Sequence, residues 1–298
     1  SIDANGKKTE PYKHGLHYNG IIKGNNNSIA AVSIFENFVM GVISDENGNY
    51  ILGSIKNSDK SYSQNYIFYN DADLNIKNKF KCGIEDNENN FTLALKNAEN
   101  YSRNIDPINQ TDNSSALPVK VYFEADYQTY IDGQQNSSTV FDFIIAMYNS
   151  VKTIYQNESI PTVISSIAVW TVPDPYTNLT NSIDILKGFG QYNKDDFQGN
   201  LAHLVSTRTE GFGGIAWVRT LCANYDPQSN SGRYAFSNID PTYNNYPTYS
   251  WTVNVVAHEM GHNMGSLHTQ SCIWPIGGTF KTIDSCYTPE GNCNYNPH

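Results

Sequence analysis

Twelve residues constrain this chain more than any others: Ala257-His258-Glu259-Met260-Gly261-His262-Asn263-Met264-Gly265-Ser266-Leu267-His268. His258 and His262 lie four apart, so on a helix their imidazoles project from one face, one turn above the other. The apolar spacing upstream extends that helix back to Trp251 and forward to Met264. Gly265 is then expected to be a structural turn, because glycine readily takes the left-handed conformation that ends a helix sharply. Such a turn swings His268 back toward the first two histidines, so that three ring nitrogens converge.

Three converging neutral imidazoles are a zinc site with its fourth position open, and that position can hold a water whose pKa falls to about 7. Glu259 sits beside the first ligand without being one, which suits a general base acting on that water. Two plainer accounts compete. Histidines on a helix surface beside a coincidental glutamate would match these five fixed positions in roughly one chain in 10⁵. A structural zinc site takes four protein ligands, often cysteines, and leaves Glu259 without purpose. One catalytic Zn²⁺ is therefore the expected cofactor. Calcium is not indicated, since no Asp-rich loop of recognisable spacing is present.

The net charge is −10, and lysines and arginines are scattered, so the basic footprint that phosphate binding requires is missing and nucleic acid is excluded as a partner. No apolar run is long enough to span a membrane. The start, Ser1-Ile2-Asp3-Ala4-Asn5-Gly6, lacks the features of a signal peptide, so a signal is expected to have been removed or the chain cut from a longer precursor. Of the cysteines Cys82, Cys222, Cys272, Cys286 and Cys293, the last three follow the histidine motif in a Gly-, Pro- and Asn-rich stretch. Such a stretch has little core, and disulfides are its natural staple, which points to an oxidising, extracellular compartment. Spacing leaves the connectivity open.

Along the chain, residues 1–96 read as a β-rich unit. Ser28 to Phe35 and Phe38 to Ser44 are strand-like, and Asp45-Glu46-Asn47-Gly48-Asn49 is a turn before Tyr50-Ile51-Leu52. Residues 97–117 are polar and aperiodic, a linker. From residue 118 strands and helices alternate, which indicates an α/β domain over 118–298. Its strands are expected at 118–123, within Pro161 to Pro173, at Leu201 to Ser206 and at Gly214 to Val218. Phe141, Ile144, Ile145, Tyr148, Val151 and Ile154 recur at helical spacing, and a shorter helix is expected around Ile183 to Phe189. Tyr243, Tyr246 and Tyr249, ahead of the histidine helix, either line a cleft or cover a core; a core role is expected.

The motif His258-Glu259-x-x-His262-x-x-Gly265-x-x-His268 is the metzincin signature, and the chain resembles the reprolysin/adamalysin branch of that family, including its secreted bacterial members. Val255 to Gly265 is similar to that branch almost residue by residue, and so is Gly214-Ile215-Ala216-Trp217-Val218-Arg219-Thr220-Leu221-Cys222. The resemblance covers about 180 residues from Pro118 onward, at family-domain scale. It implies a metzincin-type catalytic domain, with a mixed, mostly parallel twisted sheet and an active-site helix, behind a small β-rich prodomain. It also implies a zinc endopeptidase acting on proteins or peptides, with Gly214, Ile215, Ala216 and Trp217 as a substrate-binding edge strand. The residues themselves agree to the extent that a short apolar strand flanked by Gly211, Gly213 and Gly214 can accept an added strand; an ordinary sheet strand is the alternative.

One family element is missing. The methionines are Met40, Met147, Met260 and Met264, and none follows His268, so the Met-containing turn under the metal is expected beyond residue 298. The stretch from His17 to Gly24 and the strands after it look like the family's propeptide, and Cys82 falls where the family places an inhibitory cysteine switch. A thiolate there would fill the fourth metal position, making the prodomain the protein's own inhibitor. A buried cysteine, or one bonded to a partner beyond residue 298, is the alternative. In the family a cysteine near the Met turn pairs within the protease domain, which would leave Cys82 unpaired. The rival from another class is a non-catalytic zinc-containing binding or adhesion module, against which the presence of Glu259 argues.

Overall fold

The computed structural model describes residues 1–9, 11–59, 61–74, 82, 117–208, 213–239, 247–277, 279–284 and 287–293. The expected linker, apart from Leu117, lies outside the described residues, as do Gly211, Tyr243, Tyr246 and Cys286. The chain opens with a hairpin of two short strands, β1 (Ile2–Asp3) and β2 (Gly6–Lys7). It continues into β3 (Leu16–Gly20), β4 (Ile29–Ile34), β5 (Val39–Asp45), β6 (Gly48–Lys56) and β7 (Tyr62–Asn70). These five form an antiparallel meander in sequence order. Its β5–β6 turn falls at the polar run read from the sequence, where Asp45 Oδ1 accepts from Asn47 N–H at 2.8 Å.

The larger part comprises β8 (Val119–Ala125), α1 (Tyr127–Asp132), α2 (Ser137–Asn157), β9 (Thr162–Val169) and α3 (Ser182–Asn193). After these come β10 (Leu201–Ser206), β11 (Gly214–Ala216), β12 (Tyr234–Asn238) and α4 (Tyr249–Met264), then a hairpin of β13 (Trp274–Ile276) and β14 (Thr279–Lys281). Five strands make one sheet in the order β11-β12-β10-β8-β9. Its three inner pairings are parallel, and β11 runs antiparallel along β12 at the edge.

Strand alternation divides the core in two. Val121, Phe123 and Ala125 of β8 face α2 and α4, whereas Tyr122 faces α3. The first face joins Val140, Ile144, Met147 and Val151 of α2 to Val253, Val256 and Met260 of α4. Asn136 starts α2 by accepting from Ser138 and Thr139 N–H, and Asn181 starts α3 by accepting from Asp184 N–H.

The meander is not a separate bead. Phe38, Met40 and Ile51 lie in the same apolar cluster as α2 and α4, and Asn149 Nδ2 on α2 donates to Tyr18 O and Val32 O. Tyr69 OH donates to Pro247 O at 2.5 Å, so β7 also grips the chain entering α4. The N-terminal hairpin departs from the sequence reading, which placed it within a single β-rich unit. Ile2 is instead buried against Trp170 and Tyr176 on the far face of the other sheet, and Thr171 N–H donates to Ile2 O at 2.9 Å. Among the described residues no helix is long and apolar enough to cross a membrane.

Candidate metal centre

The site is built on α4, which turns Val253, Val255, Val256 and Met260 into the core and His258 toward a cleft. At its end Gly265 takes φ 105°, and the last turn closes with Gly265 N–H on His262 O and Ser266 N–H on Gly261 O, both at 2.9 Å. The loop after β11 is tied to this terminus. Buried Asn263 donates through Nδ2 to Trp217 O at 2.9 Å and Tyr234 O at 3.0 Å, and Arg219 N–H donates to His262 O at 2.8 Å.

The left-handed turn brings His268 back, and the three imidazole centroids lie 4.5, 4.9 and 5.3 Å apart. Cys82 Sγ joins them, so one donor atom each from Cys82, His258, His262 and His268 falls within 4.8 Å of the others. His262 Nδ1 is 2.9 Å from Ser266 O; a carbonyl can only accept, so Nδ1 carries the proton and Nε2 presents its lone pair inward. That Nε2 is 2.9 Å from His258 Nε2 and 3.6 Å from Cys82 Sγ. Burial and the neighbouring histidines push the His258 pKa down to about 3, keeping that ring neutral, as a metal ligand must be.

This donor set fits zinc. Tetrahedral zinc with nitrogen bonds near 2.05 Å and a sulfur bond near 2.3 Å separates its donors by about 3.4 to 3.6 Å. Three imidazoles and one sulfur, with no carboxylate among them, are what zinc accepts and what calcium or magnesium refuses.

Glu259 lies against this group. It is fully buried, its Oε1 is 4.0 Å from Cys82 Sγ, and its Oε2 has no hydrogen-bond partner among the described residues. Burial pushes its carboxyl well above the ordinary carboxylate range, a shift that a cation among the histidines opposes. Gly214 on β11 makes room for it: a Cβ at that position would come within 2.2 Å of Glu259 Oε1. Gly214 is also where the backbone of Cys82 meets the sheet, as a parallel bridge on the outer edge of β11. The expected edge strand is shorter as a regular strand than the sequence run suggested. The regular strand spans Gly214–Ala216, and Trp217 N–H still donates to Tyr234 O at 3.2 Å before the chain turns through a left-handed Arg219 onto the end of α4.

Glu290 was not foreseen. Its carboxylate lies 2.9 and 3.1 Å from His268 Nδ1, in a loop closed by the disulfide Cys272–Cys293. Cys222 is an exposed free thiol that accepts from Asn200 Nδ2.

A reprolysin-type family model, described as metallo-peptidase family M12, matches residues 116–298. The chain belongs to this family. A human relative, disintegrin and metalloproteinase domain-containing protein 9, is 25% identical over 311 aligned positions, covering 94% of this chain and 35% of the relative. The chain thus spans about a third of that relative's length. Among solved structures, metalloproteinase-II from Bacteroides fragilis aligns with 89% of this chain and 75% of its own at 12% identity and a TM-score of 0.40. A structure titled as a chaperone–substrate complex aligns with 53% of this chain and 25% of its own, at 12% identity and a TM-score of 0.38.

Proposed function

We propose that this chain is the latent form of a secreted zinc endopeptidase, with His258, His262 and His268 as metal ligands, Glu259 as general base and Cys82 as the inhibitory fourth ligand. The observation that carries the reading is the convergence of those four donor atoms within 4.8 Å, with the buried Glu259 carboxylate beside them. Zinc, when bound there, lowers the pKa of a water and polarises a peptide carbonyl. Glu259 takes the proton released as the carbonyl is attacked and delivers it to the departing amine.

Latency has two parts in this reading. The Cys82 thiol fills the position that the attacking water needs, and the Cys82 backbone lies on the edge of β11, where an extended substrate would add. Removing the segment around Cys82 frees both. Secretion is supported by the Cys272–Cys293 disulfide, a bond that persists in oxidising compartments.

The test is digestion of casein by the natural full-length protein, before and after removal of its N-terminal part, with a Glu259→Gln variant alongside. The processed enzyme should cleave and should stop when its metal is chelated. Glu259→Gln should retain zinc and lose about 10²- to 10⁴-fold in rate, the range of positioned acid–base catalysis. A variant that loses its metal, or one that remains active, contradicts the role assigned to Glu259.

A further inference from the structure

We propose that Glu290 is the positioning residue of the metal centre: the loop closed by Cys272–Cys293 returns its carboxylate to His268, where it accepts the Nδ1 proton and holds Nε2 toward the other two histidines. This deepens the zinc reading above and rests on it.

The three histidines are not held alike. His258 and His262 ride on α4, and His262 finds its acceptor, Ser266 O, in the turn that the motif itself makes. His268 lies beyond the helix, where no backbone ladder fixes its ring. Its backbone is fixed by Trp274 Nε1, which donates to His268 O at 2.8 Å. The residue is only 4% exposed, and its Nδ1 meets both oxygens of Glu290, at 2.9 and 3.1 Å. An ionised carboxylate can only accept, so the Nδ1 proton is committed to this bond and Nε2 is left to bind metal.

Glu290 is itself held on both sides of its Cα. Its N–H donates to Gln270 O at 3.0 Å, its carbonyl accepts from Cys272 N–H at 2.8 Å, and Ser271 and Glu290 form a parallel bridge. Gln270 Nε2 donates to Glu290 Oε1 at 2.9 Å, orienting the carboxylate. Glu290 is therefore received by the segment directly after the third ligand, and the disulfide runs from Cys272 within that segment to Cys293 just beyond Glu290. Disulfide, bridge and carboxylate make one clamp on His268. A stapled loop that bore no such side chain would hold the backbone and leave the ring free to rotate.

The experiment measures zinc affinity of the intact chain by competition with a chromophoric chelator. Glu290→Ala should bind zinc about 10- to 100-fold more weakly, the usual cost of losing such a partner. Glu290→Gln, whose amide oxygen can accept the same bond, should recover most of the loss, which a merely structural role for the loop does not predict. Replacing Cys272 and Cys293 together by Ser should also weaken binding, and adding Glu290→Ala to that pair should weaken it little further, because both act on one contact. Thermal unfolding of the metal-free proteins controls for folding. Wild-type affinity in Glu290→Ala, a Gln variant as weak as Ala, or additive losses would each overturn the proposal. A wild-type chain that binds no zinc would instead remove the metal-centre reading on which it rests.

Discussion

Gly214→Ala probes the contact between the sheet edge and the proposed base. The new Cβ would stand 2.2 Å from Glu259 Oε1, 2.5 Å from its Cγ and 2.6 Å from its Cδ, where ordinary contacts need about 3.5 Å. Neither side yields easily. Glu259 is fully buried, and α4 is tied to the loop beyond β11 through Asn263. Overpacking of this kind costs about 1–3 kcal/mol. At about 2–4 °C per kcal/mol for a chain of this class, Tm should fall by about 2–12 °C. Displacing the carboxylate by about 1 Å should also lower activity of the processed enzyme on the order of 100-fold. Gly20→Ala is the control, since nothing lies within 4 Å of a Cβ there. The decisive arm is the same substitution in a Glu259→Ala background, where the clashing atoms are gone and the penalty should nearly vanish. An unchanged Tm in Gly214→Ala, or an equal penalty in both backgrounds, would show that Glu259 does not pack under Gly214.

Gly265→Ala forces a side chain into a left-handed conformation, at φ 105°, and should cost about 1–2 kcal/mol in thermal unfolding while weakening zinc binding through His268; unaltered zinc affinity would contradict the role of that turn. His203 is buried on β10 with its pKa pushed down to about 3 by desolvation, so the unfolded chain takes a proton near pH 6.5 that the folded chain refuses. Its contribution to stability is therefore fully present above pH 6.5 and falls as pH drops from 6.5 toward 3, by about 1.4 kcal/mol per pH unit. His203→Gln should flatten the acid limb of a Tm–pH curve by one proton, and an unchanged limb would refute the burial argument.

Features with local causes could be read from the residues. The helix carrying the motif follows from two histidines four apart and a glycine that ends it, and Tyr249–Met264 is helical through that stretch. The periodic run from Phe141 to Ile154 lies within α2, and Leu201–Ser206 forms a strand with the bounds read from its sequence. Features that depend on distant partners were hidden. Tyr234–Asn238 is a central strand buried on both faces, so its residues show no alternation, and its polar Ser237 is accommodated only because His203 lies 2.8 Å away on β10. The six-residue α1 is too short to display a period. Ile2 looks like a solvent-exposed terminus until Trp170 and Tyr176 surround it. At the site, the three histidines and Glu259 announce themselves by spacing. Glu290 does not, because an acidic residue near a cysteine carries no pattern until the loop closes on His268.

The central claim is that Cys82 completes the coordination of a zinc ion in the intact chain. Zinc K-edge X-ray absorption on the unprocessed protein tests it directly. The account predicts one sulfur neighbour at about 2.3 Å beside three nitrogens at about 2.0–2.1 Å, and loss of the sulfur shell in Cys82→Ala. A first shell of nitrogen and oxygen alone in the unprocessed protein would contradict it.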